Sequence, residues 1–349
     1  MNEKERIKLI NDVFAPKPNE KILFLIDKPH GDIKDNQKWK DRRELAYEWY
    51  IIFKKMGKEK KFYVEIKSFK ATGVHNSQIP IDIKKLIKEY NIVIAMTEYS
   101  ASSSLITITL EKNLNIRVAS MPMIERRMEK TAFKADYKMV KKYADSIKKI
   151  LNNSIGAEIR FSTQDYLYID IRNRNAHSDT GECTKKGQFI NFPSGEACIA
   201  PYEATKDEII EFGKSKTKGI LPVDYNGEII KYEIENNKIF NIIGFGNKAK
   251  EMTAFFNEKK THCNIAELGI GCNPKAVVTG NVLEDEKVAG LHIAYGMSTH
   301  LGGKIESDMH MDICYPKCAP IEAISLKLID ENFKKTELIN KDGLCYDLL

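Results

Sequence analysis

The chain has 349 residues, of which 42% are hydrophobic, and it carries 55 lysines and arginines against 49 acidic residues. This length and hydrophobic content suit two domains with sizeable cores, so we do not expect a disordered chain. The basic excess is small and lysines alternate with acids, as in EKERIK, so the sequence predicts no nucleic-acid partner.

Signals for export or membrane insertion are missing from the sequence. The longest apolar runs, such as ILFLI, are far shorter than the roughly 20 residues of a membrane span. The first ten residues, MNEKERIKLI, lack the layout of a secretory signal, and the seven cysteines are scattered. We therefore expect a cytoplasmic protein with reduced thiols and no membrane partner.

In the first 150 residues, short apolar runs alternate with amphipathic segments. The pattern predicts strands at 21–27, 61–69, 91–97 and 115–122, and helices at 42–57, 81–90, 102–113 and 134–153. Strands that alternate with helices predict a parallel sheet covered on both faces. Neither G-x-G-x-x-G nor a P-loop occurs in this half, so no nucleotide site is predicted.

After Asn153 the pattern changes to short alternating runs separated by turn residues, such as YLYIDIR, QFINFPSG and GEIIKYEIE. One helix is predicted at 247–259, and a hairpin around Asp330-Glu331-Asn332. The fold class predicted is α/β: an N-terminal doubly wound parallel-sheet domain (1–155) is followed by a mixed α+β, antiparallel-rich metal-binding domain (156–349).

Five polar side chains in the second half interrupt apolar or glycine-rich segments. They are Glu196 in NFPSGEACIAP, Glu267 in CNIAELGIGCNP, His292 in EDEKVAGLHIAYG, and His310 and Asp312 in GGKIESDMHMD. A carboxylate among apolar residues, as at Glu267, is costly to bury unless it is paired or binds a cation. His310 and Asp312 share a face if their segment is a strand.

Taken singly, each of these residues has an ordinary structural explanation: a solvated turn, a core histidine, a chance pair. Together they form a set of mixed oxygen and nitrogen donors, which suits Zn²⁺, Mn²⁺, Co²⁺ or Fe²⁺ better than Ca²⁺. Five ligands exceed the usual three protein groups of one catalytic zinc. The surplus of carboxylates favours a two-metal site with a bridging carboxylate.

The four segments resemble, in the same order, the metal-binding segments of the thermophilic aminopeptidase family of metallopeptidases, and they span 191–312. The resemblance implies a homodimeric leucyl aminopeptidase-type hydrolase that removes N-terminal residues from short peptides with a free N-terminus. It implies two divalent ions (Zn, Co or Mn), held by Glu196, Glu267, His292, His310 and Asp312.

The mechanism that we predict is hydrolysis by a metal-activated water, with Glu267 as proton carrier or bridging ligand and Tyr295 as a donor to the tetrahedral intermediate. Two positions depart from the family pattern. Thr299 stands where the family has its active-site tyrosine, and Lys287 stands where asparagine is common. These departures leave the substrate preference open.

Two alternative hypotheses remain. The fold also resembles that of 2,5-dihydroxypyridine dioxygenase, an iron-dependent ring-cleaving enzyme, and His292, His310 and Asp312 could supply a facial triad for Fe(II). The other alternative is a non-enzymatic binding protein that retains the fold.

Overall fold

The computed structural model describes residues 1–349, which divide into two compact units. Unit 1 comprises Met1–Lys141, Asp179–Ser194 and Lys275–Val277, and unit 2 comprises Lys142–Ser178, Gly195–Pro274 and Val278–Leu349. No helix combines the length and the apolar character that crossing a membrane requires.

The helices are α1 (Glu3–Val13), α2 (Gln37–Lys60), α3 (Ile81–Ile87), α4 (Ser102–Thr109), α5 (Tyr137–Asn152), α6 (Lys206–Phe212), α7 (Asn247–Glu258) and α8 (Val282–Asp285). The strands are β1 (Lys21–Lys28), β2 (Tyr63–Lys70), β3 (Ile92–Ala95), β4 (Arg117–Ser120), β5 (Ser154–Phe161), β6 (Tyr166–Asp170), β7 (His177–Asp179), β8 (Phe189–Asn191), β9 (Glu196–Ile199), β10 (Lys218–Tyr225), β11 (Glu228–Glu235), β12 (Lys238–Ile243), β13 (Ile265–Gly271), β14 (Gly290–Gly296), β15 (His310–Pro316), β16 (Ala323–Asp330), β17 (Lys335–Asn340) and β18 (Gly343–Leu344).

Unit 1 contains a five-stranded parallel sheet in the order β2-β1-β3-β4-β8. On one face, Leu23 and Val93 of the strands share a core with Ile83 of α3 and Leu105 of α4. On the other face, Phe24 of β1 packs edge-on against a phenylalanine of α2, with ring centroids 5.1 Å apart. The predicted parallel sheet with helices on both faces is therefore confirmed.

In unit 1, the strand β8 and the end of helix α2 differ from the sequence prediction. The alternating pattern places QFINFPSG in the antiparallel region, but β8 lies within it and pairs parallel with β4. A run of three alternating residues does not reveal the direction of its partner strand. Helix α2 continues past Gly57 to Lys60 and ends where Lys61 adopts a left-handed φ of 61°. Gly57 instead allows close approach, because a Cβ there would lie 2.5 Å from the Phe62 carbonyl oxygen.

Unit 2 contains two further sheets. The large antiparallel sheet has the order β12-β11-β10-β6-β5-β16-β17-β18, and the small antiparallel sheet has the order β15-β14-β13-β9-β7. The predicted hairpin forms between β16 and β17. The second half of the chain is thus rich in antiparallel pairs, as the sequence indicates.

One face of the small antiparallel sheet packs on the large one. The ring of Tyr315 lies 4.8 Å from that of Phe161, and its hydroxyl donates to the Pro222 carbonyl over 2.8 Å. Tyr295 likewise packs edge-on against Tyr232 at 6.1 Å. Since side chains alternate along a strand, the residues next to these tyrosines in β14 and β15 point to the opposite face.

Candidate metal centre

The register of the small antiparallel sheet brings the predicted ligands to its second face. Glu267 of β13 lies opposite Ala294 of β14, which lies opposite Asp312 of β15. His292 is two residues from Ala294 and His310 is two residues from Asp312, so both histidines share that face. Glu196 of β9 reaches the same face of the sheet from the other side of β13.

Glu267 lies at the centre of this group. Its Oε1 is 3.2 Å from Nε2 of His292, and its Oε2 is 3.0 Å from Nε2 of His310. Glu196 Oε2 lies 3.5 Å from the His292 nitrogen, and Asp312 Oδ1 lies 3.5 Å from the His310 nitrogen. The structure therefore brings all five predicted metal ligands together.

Side chains of this cluster form two groups of three potential metal ligands, and Glu267 belongs to both groups. Ligand atoms of Glu196, Glu267 and His292 lie within 4.8 Å of one another, and so do those of Glu267, His300 and His310. We call them the Glu196 group and the His300 group. Each oxygen of Glu267 faces a different group, which is the position of a carboxylate that bridges two ions.

His300 is a candidate ligand that was not predicted from the sequence. It lies in a short 3-10 turn, Thr299–Leu301, and its ring meets that of His310 at 4.6 Å. The signal was the histidine in MSTHLGG, ten positions before His310, but this segment is neither apolar nor strand-like. Only the chain reversal between β14 and β15 brings it to the cluster.

The orientation of His310 is set by a backbone contact. Its Nδ1 donates to the Met297 carbonyl over 2.7 Å, and its Nε2 points at Glu267. When the ring loses one proton, the contact with Met297 keeps the remaining proton on Nδ1. In this tautomer the lone pair of Nε2 faces the Glu267 carboxylate and is available to bind a metal ion.

The charges in the cluster shift several pKa values. Burial raises the pKa of Glu267, but hydrogen bonds from His292 and His310 outweigh it and hold that pKa well below its usual range. Burial lowers the pKa of His292, but Glu267 and the other carboxylates raise it to about 9. The pKa of His310 is likewise raised well above its usual value, against burial, by Asp312 and Glu267. In the metal-free protein, protonated histidines therefore balance the buried carboxylates.

Two further charged residues lie beside the Glu196 group. The Lys287 ammonium donates to Oε1 of Glu196 over 2.5 Å and to Oε1 of Glu286 over 2.6 Å. Burial raises the pKa of Glu286 to about 8. The pKa of Glu286 is thus close to neutral pH.

One buried oxygen without a hydrogen-bond partner bears on whether this site fits a metal ion. Oε2 of Glu196 is buried and has no hydrogen-bond partner, although it faces the His292 ring. An unsatisfied buried carboxylate oxygen is costly, and a cation would satisfy it. The mixed carboxylate and imidazole donors also fit Zn²⁺, Mn²⁺, Co²⁺ or Fe²⁺. The residues present therefore fit a divalent metal ion.

Tyr295 is the predicted site residue that the structure does not bring to the carboxylates. It lies three residues after His292, on the face of β14 that packs against Tyr232 and Phe256. Burial, together with Tyr225, raises its pKa far above the usual value. Tyr295 thus packs among core aromatic rings, and it also lines the cavity that adjoins the centre.

A cavity of about 750 Å³ adjoins the centre along the edge strand β15. Apolar side chains, including Phe255, Met311 and Ile313, form much of its wall. Its charged lining consists of five carboxylates and one ammonium: Asp224, Glu251, Glu258, Asp285 and Asp312, with Lys248. Asp312 therefore belongs to both the ligand cluster and the wall of a largely acidic cavity.

Comparison with known proteins finds likenesses among solved structures. A scan against protein-family models finds no match, and a search of curated protein sequences finds none. A 2,5-dihydroxypyridine dioxygenase from Pseudomonas putida KT2440 matches with a TM-score of 0.68 and 14% identity, over 99% of this chain and 98% of that one. Wild-type AmpT from Thermus thermophilus matches with a TM-score of 0.62 and 10% identity, over 98% of each chain. At these identities, the two likenesses show a shared fold over nearly the full length and a distant relationship only.

Proposed function

We propose that the chain is a metal-dependent aminopeptidase that removes N-terminal residues from short peptides. The observation that carries this proposal is the position of Glu267, whose two oxygens face the two ligand groups separately. Divalent ions held by these two groups would supply the Lewis acid that polarises a scissile carbonyl and activates a water molecule. The fold shared with the aminopeptidase AmpT and the sequence resemblance support the same activity.

In this proposal, the protein residues divide into ligands and a proton carrier. Glu196 and His292 would hold one ion, His300 and His310 the other, and Glu267 both. The low pKa of Glu267 suits a ligand and makes it a poor proton acceptor near neutral pH. Glu286, with a pKa of about 8, is the better candidate to take up and release a proton.

The charge of the neighbouring cavity favours a substrate with a free amino group. Five carboxylates against one ammonium make the cavity attractive to a protonated N-terminus. Apolar residues such as Phe255 and Ile313 would contact an uncharged first side chain. Asp312, which lies on both the cavity wall and the cluster, is suited to orient the amino group beside the metal ligands.

The test is to strip the protein with a chelator, reload it with Zn²⁺, Mn²⁺ or Co²⁺, and measure release of p-nitroaniline from leucine p-nitroanilide. We expect activity that rises with metal loading and disappears in Glu267→Gln. Acetylation of the substrate amine should abolish the activity, because the acidic cavity would no longer attract it. An inactive protein with full metal content, tested on several N-terminal residues, would overturn the proposal.

A second candidate is an Fe(II) dioxygenase, favoured by one specific observation. Lys287 already binds one oxygen of Glu196, which favours a single ion over two. In this candidate, His292 and the neighbouring pair His310 and Asp312 would supply the two-histidine, one-carboxylate set for Fe(II). Oxygen uptake by the Fe(II)-loaded protein with 2,5-dihydroxypyridine, without hydrolysis of leucine p-nitroanilide, would select this candidate over the peptidase.

A further inference from the structure

Lys287 is a buried positive charge inside the candidate metal centre. Its side chain is 0% exposed, and its Nζ contacts one oxygen each of Glu196 and Glu286. The backbone holds it there, because its N–H donates to the Glu284 carbonyl and its own carbonyl accepts from Asn273, each over 3.0 Å. A fully buried lysine is rare unless it is paired, so its carboxylate contacts fix the position of the ammonium.

The ammonium affects the two ligand groups differently. In the Glu196 group, it binds Oε1 of the same carboxylate whose Oε2 is free to meet an ion. In the His300 group, the neighbours of His310 are the Asp312 carboxylate and the Met297 carbonyl. The Glu196 group therefore has a fixed ammonium, shared with Glu286, bonded to one of its ligands, whereas His310 of the other group has the Asp312 carboxylate beside it.

This asymmetry acts at short range, and all three members of the Glu196 group are buried. Charges a few ångströms apart interact far more strongly in such surroundings than in bulk solvent. A divalent ion on Glu196 Oε2 would be repelled by the ammonium on the other oxygen of that carboxylate. An ion held by His300 and His310 would lie beside Asp312 and would gain attraction instead.

We propose that Lys287 makes the two ion positions unequal, so that the His300 group fills first and the Glu196 group takes a second ion only weakly. Lys287 is thus a positioning residue that sets metal stoichiometry. At limiting metal the chain would hold one ion, and it would hold two only when the ion is in excess. This inference rests on metal binding at the site of the proposed function, but not on the reaction catalysed there.

The test is a calorimetric titration of the metal-free protein with Zn²⁺, combined with metal analysis after dialysis. We expect two steps in the unmodified protein. Lys287→Gln keeps an amide that can donate to Glu196 but removes the charge, so the second step should tighten about tenfold or more. Lys287→Arg keeps the charge and should keep the second step weak.

The matched control is Lys231→Gln, which removes an ammonium 2.8 Å from Asp165 in the large antiparallel sheet. Neither step should change in that variant. If Lys287 only orients Glu196, Lys287→Gln would leave the second step unchanged or weaken it, and that result overturns the proposal. Two equal affinities in the unmodified protein would overturn it as well.

A second variant keeps the proposal testable if Lys287→Gln does not fold. His300→Ala should weaken the first step and leave the weak step in place, and the reverse result contradicts the assigned order of filling. The peptidase assay is run separately on the same samples. If the protein binds two ions unequally but hydrolyses no peptide, this inference stands and the proposed function is overturned.

Discussion

Gly269 lies directly across from His292 in the small antiparallel sheet, and a Cβ at Gly269 would sit 1.9 Å from His292 Nε2. The imidazole therefore crosses β13 through the space that the missing side chain leaves. This contact explains why a glycine follows Glu267 by two residues: it gives His292 room to reach both carboxylates of the Glu196 group.

The first prediction concerns that contact. Gly269→Ala should displace the His292 ring and weaken metal binding roughly 10- to 100-fold, the range typical when ligand support is lost. Overpacking should also lower the free energy of unfolding by about 1–3 kcal/mol. Calorimetric metal titration and denaturant unfolding measure the two effects.

Gly156→Ala is the matched control for overpacking. A Cβ there would lie 2.1 Å from the Tyr168 hydroxyl oxygen, in the large antiparallel sheet. This variant should lose stability and keep its metal affinity. If both variants bind metal as the unmodified protein does, His292 is not a ligand.

The second prediction compares Glu267, which belongs to both ligand groups, with Glu196, which belongs to one. Glu267→Gln should remove tight binding of both ions, because each oxygen of Glu267 faces a different ligand group. Glu196→Gln should affect only the ion at His292. Bound metal per chain, measured after dialysis, should approach zero in the first variant and one in the second. Equal losses in the two variants would contradict a bridging role for Glu267.

The third prediction concerns His300. Desolvation and the neighbouring His310 lower the pKa of His300, which lies at the exposed end of its group, so the ring is neutral at pH 7 and able to bind a metal ion. His300→Ala should reduce the affinity of the first ion roughly tenfold or more without unfolding the protein. His30→Ala in unit 1 is the control. Unchanged affinity in His300→Ala would remove this residue from the ligand set.

The fold could be predicted from the sequence where local patterns determine it. Alternating strands and helices in unit 1 indicate the parallel sheet, and period-two runs indicate the antiparallel sheets. The pairing of β8 could not be predicted, because its three residues carry no information on the direction of their partner. The end of α2 was predicted too early because Gly57 provides space for Phe62 rather than a helix stop.

The candidate site was predictable to the extent that its residues conflict with their local surroundings. Glu267 and His292 interrupt apolar strands, so burial itself marks them, and the structure brings them within hydrogen-bond distance. His300 lies in a polar turn and conflicts with nothing nearby. Tyr295 lies three residues from His292, so strand alternation directs it to the opposite face, where it lines the cavity, and its role as a donor stays a prediction.

The fourth prediction concerns the stability of the metal-free protein. The pKa of His292 rises from 6.5 in the unfolded chain to about 9 in the folded one. A raised folded-state pKa contributes stability that is fully present below pH 6.5 and is lost as pH rises through about 9. Without metal, the melting temperature should therefore fall between pH 6.5 and 9. Saturating Zn²⁺ should reduce this dependence, because the ion takes over the charge balance from the proton.

The fifth prediction follows from the same proton. At pH 7, metal binding must displace a proton from His292, whose pKa is about 9, so affinity should rise about tenfold per pH unit for each proton displaced and level off above pH 9. The pKa of His310 is raised as well, so metal binding would displace a second proton and make the affinity rise more steeply with pH. Titrations at pH 7 in buffers of different ionisation enthalpy give the number of protons released. If no proton is released, both histidine rings are already neutral before metal binds. The histidines would then not balance the charge of the carboxylates in the metal-free protein.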